Sequence, residues 1–333
     1  MNKMTHHARA AFVGLAIGDA LGMPTQMLPR QRVGALFPSL DGFAPGPPEN
    51  FISAGQPAGS VTDDTQQALI LARLLIAGNG RIDSAQFIKE LLAWSQDAEA
   101  NGTEQLGPSS RRALEAIQRG LPVEEAGRHG DTNGAAMRIA PAGIMMPIEP
   151  LTPLIDLVEE ICRPTHFTGL AIAGAAAVAA AISAGIDGAT FAQALSFALS
   201  AARLGQERGY YAAGANIAER ILWAIELVCQ LDEASALDAI VDLIGTGVTT
   251  QEAVPAAFAI AKRWSDNPWQ ACLIAARLGG DSDTIGAITG AILGACTGES
   301  AFPLSAIAMV ARTNRLDLES LADQLTAMRV RMG

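Results

Sequence analysis

Two aspartates stand side by side in this chain, Asp63 and Asp64, with Thr62 before them and Thr65 behind. An apolar helix pattern follows directly. Near the other end, the stretch GGDSDTIGAITGAILGA at residues 279–295 repeats the arrangement, with Asp281, Asp283 and Thr284 ahead of an apolar helix. Capping explains part of this, because Asp and Thr are favoured N-cap residues and carboxylates suit a first helical turn. One aspartate satisfies that need. Two adjacent ones repel, and the repulsion grows as water is excluded. Two such clusters, each with a hydroxyl, ask for a cation. Carboxylate and hydroxyl oxygens are hard ligands that suit Mg²⁺, Mn²⁺ or Ca²⁺ better than zinc. Spacing alone does not say whether the clusters meet.

Three further stretches carry polar groups at helix starts. In HGDTNGAAMRIAPAGI, residues 129–144, Asn133 and Gly134 open a short helix that ends before Pro141. Free N–H groups at such a start can hold an anion or hydroxyls; an ordinary Asn-Gly turn is the plainer reading. Thr165 and His166 head an alanine-rich helix, where a lone His is commonly a cap or a core residue. In LGPSSRRAL, Ser109 or Ser110 serves as a cap. Arg111 and Arg112 read as solvated helix charges before they read as phosphate ligands.

The elements that must position these groups are helical. Periodicity of helical type runs through most of the chain, and alternating strand patterns are scarce. The pattern predicts a first helix capped by Thr5 and ending near Leu21. Others run over 65–77, from Asp83 or Ser84 to about 96, 133–140, 154–162, 168–184, 268–278, 284–295 and 318–329. Gly78 and Gly120 act as stops. The Gly- and Pro-rich segment 41–60 is too broken for an element, and long loops in compact domains are often functional. With no low-complexity linker and no fixed repeat, the expectation is one all-α domain.

Composition excludes other classes. The 333 residues are 50% hydrophobic, ample for a large core, and carry a net charge of −11. No basic face of the kind a nucleic-acid binder needs is visible. An acidic chain that binds a phosphorylated ligand must supply positive charge locally, from a metal, helix N-termini or one or two arginines. The four cysteines, Cys162, Cys229, Cys272 and Cys296, form no C-x-x-C pair and read as buried thiols. With no convincing cleavage site near the N-terminus, a cytoplasmic location is expected. Residues 167–186 are long enough for a membrane span. They are mostly Ala and Gly, lack an aromatic belt or basic flank, and read as a buried central helix.

Together these stretches resemble the ADP-ribosylglycohydrolase family. The resemblance spans nearly the whole chain in the family's order: GLAIGDALG, TDDT, NGAAMRIAPAG, TH, then GGDSDTIGAITGAILGA. It implies an all-α, single-domain orthogonal bundle with two Mg²⁺ or Mn²⁺ ions in a central cleft. By that resemblance Thr62, Asp63 and Asp64 ligate from one side, and Asp281, Asp283 and Thr284 from the other. The stretch with Thr132, Asn133, Gly134 and Met137 looks like the part that cradles ADP-ribose, and His166 matches a residue lining the ligand pocket.

One position departs. Many family members carry a glutamate at the ninth place of GDALGxxxE; here GDALGMPTQ puts Gln26 there. Gln cannot act as a base at neutral pH, so either Asp19, Asp131 or Glu104 serves, or the ions alone activate water, or the chain no longer carries out the family's usual reaction. The implied reaction is hydrolysis at the anomeric carbon of a ribosyl group, on an ADP-ribosylated protein or a small ribosyl compound. A nucleoside-like N-ribosyl substrate is the alternative within that chemistry. A non-catalytic ADP-ribose binder is a different class, which the intact acidic clusters disfavour. An isoprenoid-type synthase would need DDxxD-like runs, and TDDTQQA lacks the second pair.

Overall fold

The computed structural model describes residues 3–100 and 106–332, with the Glu299 side chain left aside. Among these residues there are eighteen α-helices and no strand. In chain order they are α1 (Lys3–Gly22), α2 (Arg30–Leu36), α3 (Asp63–Ala77), α4 (Ser84–Ala100), α5 (Pro108–Gln118) and α6 (Val123–Ala126). Then come α7 (Gly134–Met137), α8 (Ala140–Met145), α9 (Leu151–Cys162), α10 (Gly169–Ile186), α11 (Phe191–Gln206) and α12 (Ile217–Cys229). The last six are α13 (Glu233–Ala239), α14 (Thr250–Arg263), α15 (Pro268–Leu278), α16 (Ser282–Thr297), α17 (Leu304–Asn314) and α18 (Leu318–Met332). A π-helical turn, Ile240–Ile244, extends α13.

One connected apolar cluster runs from Ala8 to Met328. The alanine-rich α10 lies inside it, touching α7, α8, α9, α11, α14 and α16, and every one of its residues is buried. A length that could span a bilayer is here enclosed by other helices. Small side chains are what allow so many neighbours: each Ala or Gly lets another backbone come close.

The closest approach is between α1 and α16. Gly14, Gly18 and Gly22 repeat every fourth residue on α1, and Gly286, Gly290 and Gly294 do so on α16, so each set forms one stripe. A Cβ on Gly18 would sit 1.9 Å from the Gly286 carbonyl oxygen, and one on Gly290 2.0 Å from that of Gly14. Backbone therefore lies against backbone. A Cβ on Gly22 would meet the Asp283 backbone at 2.4 Å, so the contact extends to the acidic start of α16.

Local chemistry shifts several boundaries from those expected. Thr5 lies within α1, since the helix already begins at Lys3. At α4 it is Asp83 that caps, accepting from Ala85 N at 2.9 Å. At α5 neither serine caps: Gly107 is the N-cap and Pro108 opens the helix, which suits a residue without an N–H. The expected 133–140 helix is two, because Pro141 belongs to the first turn of α8 and the chain breaks at Arg138 and Ile139. The short α2 and α6 carry too little apolar periodicity to be foreseen.

The glycine stripe yields a test. Gly18→Ala is expected to cost about 3 kcal/mol or more, because the intruding methyl meets backbone that cannot rotate away. Gly34→Ala in α2, where a Cβ meets nothing within 4 Å, is expected to gain about 0.5–1 kcal/mol. Urea unfolding of the two variants measures this, and similar effects at both sites would refute close packing.

Candidate active site

Each acidic cluster is built by one helix start. On α3, Thr62 takes the cap, its hydroxyl accepting from Asp64 N at 3.5 Å. That leaves Asp63 and Asp64 without a capping duty. At α16 the N-cap residue Asp281 makes no side-chain cap bond. Its carboxylate is instead reached by a short hydrogen bond from Asn133 Nδ2. Asn133, in turn, stands at the head of α7 without capping it. Capping therefore does not explain these carboxylates.

Two devices bring the helix starts together. Asp19, fully buried on α1, accepts from Thr62 N at 3.0 Å, from Thr65 N at 3.1 Å and from Thr65 Oγ1 at 2.5 Å. It pins the start of α3 to α1, and the glycine stripe pins α16 to the same helix. After α15, Gly279 and Gly280 take φ values of +72° and +63°, a left-handed pair that turns the chain into Asp281. This turn is tied on both sides. Met27 N donates to Gly280 O and Gly280 N to Leu28 O, while Asp281 N donates to Thr246 O. Asn133 N donates to Val248 O, and Thr132 bridges to Thr249.

The result is one cavity of about 350 Å³, a volume suited to a small-molecule ligand. Asp63, Asp64, Asp281, Asp283 and Thr284 line it, so both acidic clusters share one space. Thr132, Asn133, Gly134, Met137 and His166 line it as well, and so does Gln26. Thr62 is the buried N-cap of α3, its hydroxyl 3.2 Å from Asp64 Oδ2. Asp19 is behind the wall, spent on α3. Asp131 does not line the cavity; its side chain is half exposed and lies 3.6 Å from Arg112. Glu104 falls outside the described residues.

Sequence reasoning did not reach several lining residues: Met27, Phe51, Ile52, Pro108 and Val248. Phe51 and Ile52 belong to the long 41–60 loop, whose breadth was the available signal. Buried Asn50 anchors that loop by donating to Gln26 O at 2.7 Å. Met27 and Val248 have no sequence signal, because their places come from the tied turns above.

Electrostatics mark the cavity as charge-hungry. Burial raises the pKa of Asp63, Asp64 and Asp283 well above the carboxylate range, and neighbouring carboxylates raise each further. Burial lifts Asp281 to about 6 against hydrogen bonds from Asn133 and Thr284, and lifts Asp19 to about 6 against its four hydrogen bonds. Asp64 Oδ1 and Asp283 Oδ1 are buried with no hydrogen-bond partner. Such oxygens are costly without a cation or a proton. Among the described residues no three Asp, Glu, His or Cys side chains are grouped as a finished ligand set. The donor chemistry nevertheless fits a divalent ion: hard oxygens, surplus negative charge and two buried carboxylate oxygens without hydrogen-bond partners.

On either side of Asn133 in the chain, Thr132 Oγ1 lies 3.1 Å from His166 Nε2, and a Cβ on Gly134 would touch that ring at 2.9 Å. Burial, then the charges of Arg138 and Arg112, hold His166 well below the usual imidazole range, so the ring is neutral.

The motifs and this geometry agree with what the chain resembles elsewhere. The ADP-ribosylglycohydrolase family model matches residues 2–332. The uncharacterized protein YegU of Escherichia coli (strain K12) is 38% identical over 326 residues, 98% of each chain. The ADP-ribosylarginine hydrolase Tri1 of Serratia proteamaculans (strain 568) is 28% identical over 96% of this chain and 79% of its own. Among solved structures, an ADP-ribosylglycohydrolase-related protein complex superposes with a TM-score of 0.70 at 25% identity, over 99% of this chain and 100% of that one. The chain belongs to the ADP-ribosylglycohydrolase family, a family of glycosidic-bond hydrolases.

Proposed function

We propose that the protein hydrolyses the glycosidic bond between ribose and its attached group in an ADP-ribosyl substrate, with Mg²⁺ or Mn²⁺ held by Asp63, Asp64, Asp281, Asp283 and Thr284. One observation carries this reading: two acidic helix starts, far apart in sequence, face one cavity with the Asn133–Gly134 turn and His166. Bound there, a divalent ion supplies Lewis acidity that orients hydroxyls and acidifies water. The chain's own groups do the rest. The carboxylate wall places negative charge where the ribose carbon becomes oxocarbenium-like. Asn133 holds Asp281 in place, and the glycine at 134 lets the ring of His166 close against the backbone. Phe51, Ile52 and Pro108 add apolar surface to the lining.

Gln26 favours a second reading, hydrolysis of a small N-ribosyl compound. Its Nε2 is buried in the cavity without a partner. An amide offers donors and an acceptor to a neutral ligand group. Turnover of ADP-ribosyl-arginine, O-acetyl-ADP-ribose, ADP-ribosylated protein and a nucleoside panel with Mg²⁺ or Mn²⁺ separates the readings. No release from any ADP-ribosyl substrate would sink the first.

Ion dependence should also appear in stability. Carboxylates raised in the fold bind protons more tightly than in the unfolded chain. Their stabilising protonation is present at low pH and lost as pH rises from about 3.8 through about 6 and above. In EDTA, Tm is therefore expected to fall between pH 5 and pH 8. Adding Mg²⁺ or Mn²⁺ at pH 8 is expected to restore it, because the ion binds the folded form. An EDTA-treated protein with full activity and a Tm indifferent to ions would contradict the metal assignment.

Gln26→Glu adds a fifth carboxylate to this wall. It is expected to lower kcat/KM on ADP-ribosyl-arginine, by disturbing the ion site and repelling a phosphate-bearing ligand. General-base assistance is typically worth about 10²–10⁴-fold. A gain of roughly tenfold or more in that assay would show instead that the chain lacks a base which glutamate supplies.

A further inference from the structure

A chain of buried polar groups runs behind the wall that carries His166. Arg138, fully buried between α7 and α8, donates from Nη1 to Gln67 Oε1 at 2.8 Å and from Nη2 to Thr165 Oγ1 at 2.6 Å. Thr165 Oγ1 lies 2.8 Å from His166 Nδ1, and His166 Nε2 lies 3.1 Å from Thr132 Oγ1. The Thr132 side chain reaches the cavity.

We infer that Arg138 is a positioning residue: acting through Thr165, it holds His166 as the Nε2–H tautomer and thereby makes the Thr132 hydroxyl a donor into the cavity. The argument is one of donors and acceptors. A guanidinium has only donors, so Thr165 Oγ1 must accept from Arg138. Among the described residues this hydroxyl has two partners, Arg138 and His166. It is 1% exposed, so its own proton can go only to His166 Nδ1. If Nδ1 carried the proton instead, the Thr165 hydroxyl proton would be buried without an acceptor, which is costly. With Nδ1 accepting, the ring proton sits on Nε2 and is given to Thr132 Oγ1. The Thr132 hydroxyl proton is then free for a ligand.

Every link donates in one direction, from Arg138 to Thr165, to His166, to Thr132. The source of the direction is a charge that cannot be inverted. Burial lowers the Arg138 pKa to about 10, which still leaves it cationic at neutral pH. The cavity thus receives, at the residue before Asn133, a hydrogen-bond donor backed by a buried positive charge. Its complement is an oxygen acceptor, and an anionic one is favoured. That ligand rests on the reading proposed above; the tautomer does not.

The test uses full-length protein with ¹⁵N-labelled histidine, whose four histidines are resolved by long-range ¹H–¹⁵N NMR at pH 7, with His166 assigned by its loss in His166→Gln. The expected spectrum has Nε2 protonated and Nδ1 bare. Thr165→Val is expected to release the ring into a tautomer mixture, Thr165→Ser to restore the single form, and Arg138→Gln to give a mixture. Calorimetry with ADP-ribose and Mg²⁺ is expected to show Thr132→Val binding roughly ten- to hundredfold more weakly, the effect of losing one hydrogen bond to a charged group. Thr165→Val should weaken binding in the same direction, and Thr165→Ser should recover it. A wild-type ring protonated at Nδ1, or a tautomer unmoved by Thr165→Val, overturns the inference. Should Arg138→Gln fail to fold, the wild-type spectrum and the Thr165 pair decide. If wild-type protein does not bind ADP-ribose, the functional reading fails, and the spectrum still judges the relay on its own.

Discussion

Contact of backbone on backbone between α1 and α16 is the constraint on which the site depends. Glycines at four-residue spacing on both helices remove every Cβ that would hold them apart. Carbonyls of one helix then lie against the Cα atoms of the other, an arrangement with no slack. This fixes where Asp281 and Asp283 stand relative to α1. Asp19, one residue past Gly18, fixes α3 to the same helix through the Thr62 and Thr65 amides. Two clusters separated by more than two hundred residues are thereby referred to one ruler. Their separation in space is set by α1 together with the tied turn before Asp281.

The same rigidity imposes an electrostatic cost. Five aspartates at or behind one wall are raised by burial, and Asp63, Asp64 and Asp283 by neighbouring carboxylates as well. A fold driven by stability alone would not gather them, since buried like charges disfavour ionisation by several pK units. Hydrogen bonds satisfy part of the need: Gln67 donates to Asp63, Asn133 to Asp281, and the α3 amides to Asp19. Asp64 Oδ1 and Asp283 Oδ1 remain without donors. Strain of this kind concentrated at a cavity is the usual mark of a site built for something it must bind.

Much of this was legible in the sequence, and the limits have physical causes. The helices around Asp63 and Asp283 were readable because long apolar periodicity is a strong local signal. That the two clusters meet was not, because closeness follows from a glycine-on-glycine crossing whose partner lies elsewhere in the chain. Thr62, which the resemblance sets among the ion ligands, is the N-cap of α3, and its hydroxyl also reaches Asp64 Oδ2 at 3.2 Å. Asp19 was one of the carboxylates that could stand in for the glutamate missing at Gln26, and its partners, the Thr62 and Thr65 amides and the Thr65 hydroxyl, come from a helix that only the fold brings to it. Asp131 stood next to Thr132 in sequence, yet the chain turns between them, sending one side chain outward and the other inward. Phe51 and Met27 come to the rim through loop ties that no periodicity encodes. Arg138 carries no signal of its own in the sequence, because its burial between α7 and α8 follows from Pro141 opening the next helix.

Charge in and around the cavity is mixed rather than simply negative. Asp63, Asp64, Asp281 and Asp283 line it, and hard oxygens of that kind favour cations, hydroxyls and a carbon that becomes positive. Arg111 lines it too, and Arg138 reaches both Gln67, which donates to Asp63, and Thr165 beside His166. In the relay inferred above, that buried guanidinium ends in a donor at Thr132, which favours an oxygen acceptor. A sugar joined to a diphosphate, the substrate class proposed above, carries hydroxyls and anionic oxygens and can use both kinds of partner. For a chain with net charge −11 the positive charge such a ligand needs is local: Arg111, one buried guanidinium and whatever ion the carboxylates attract.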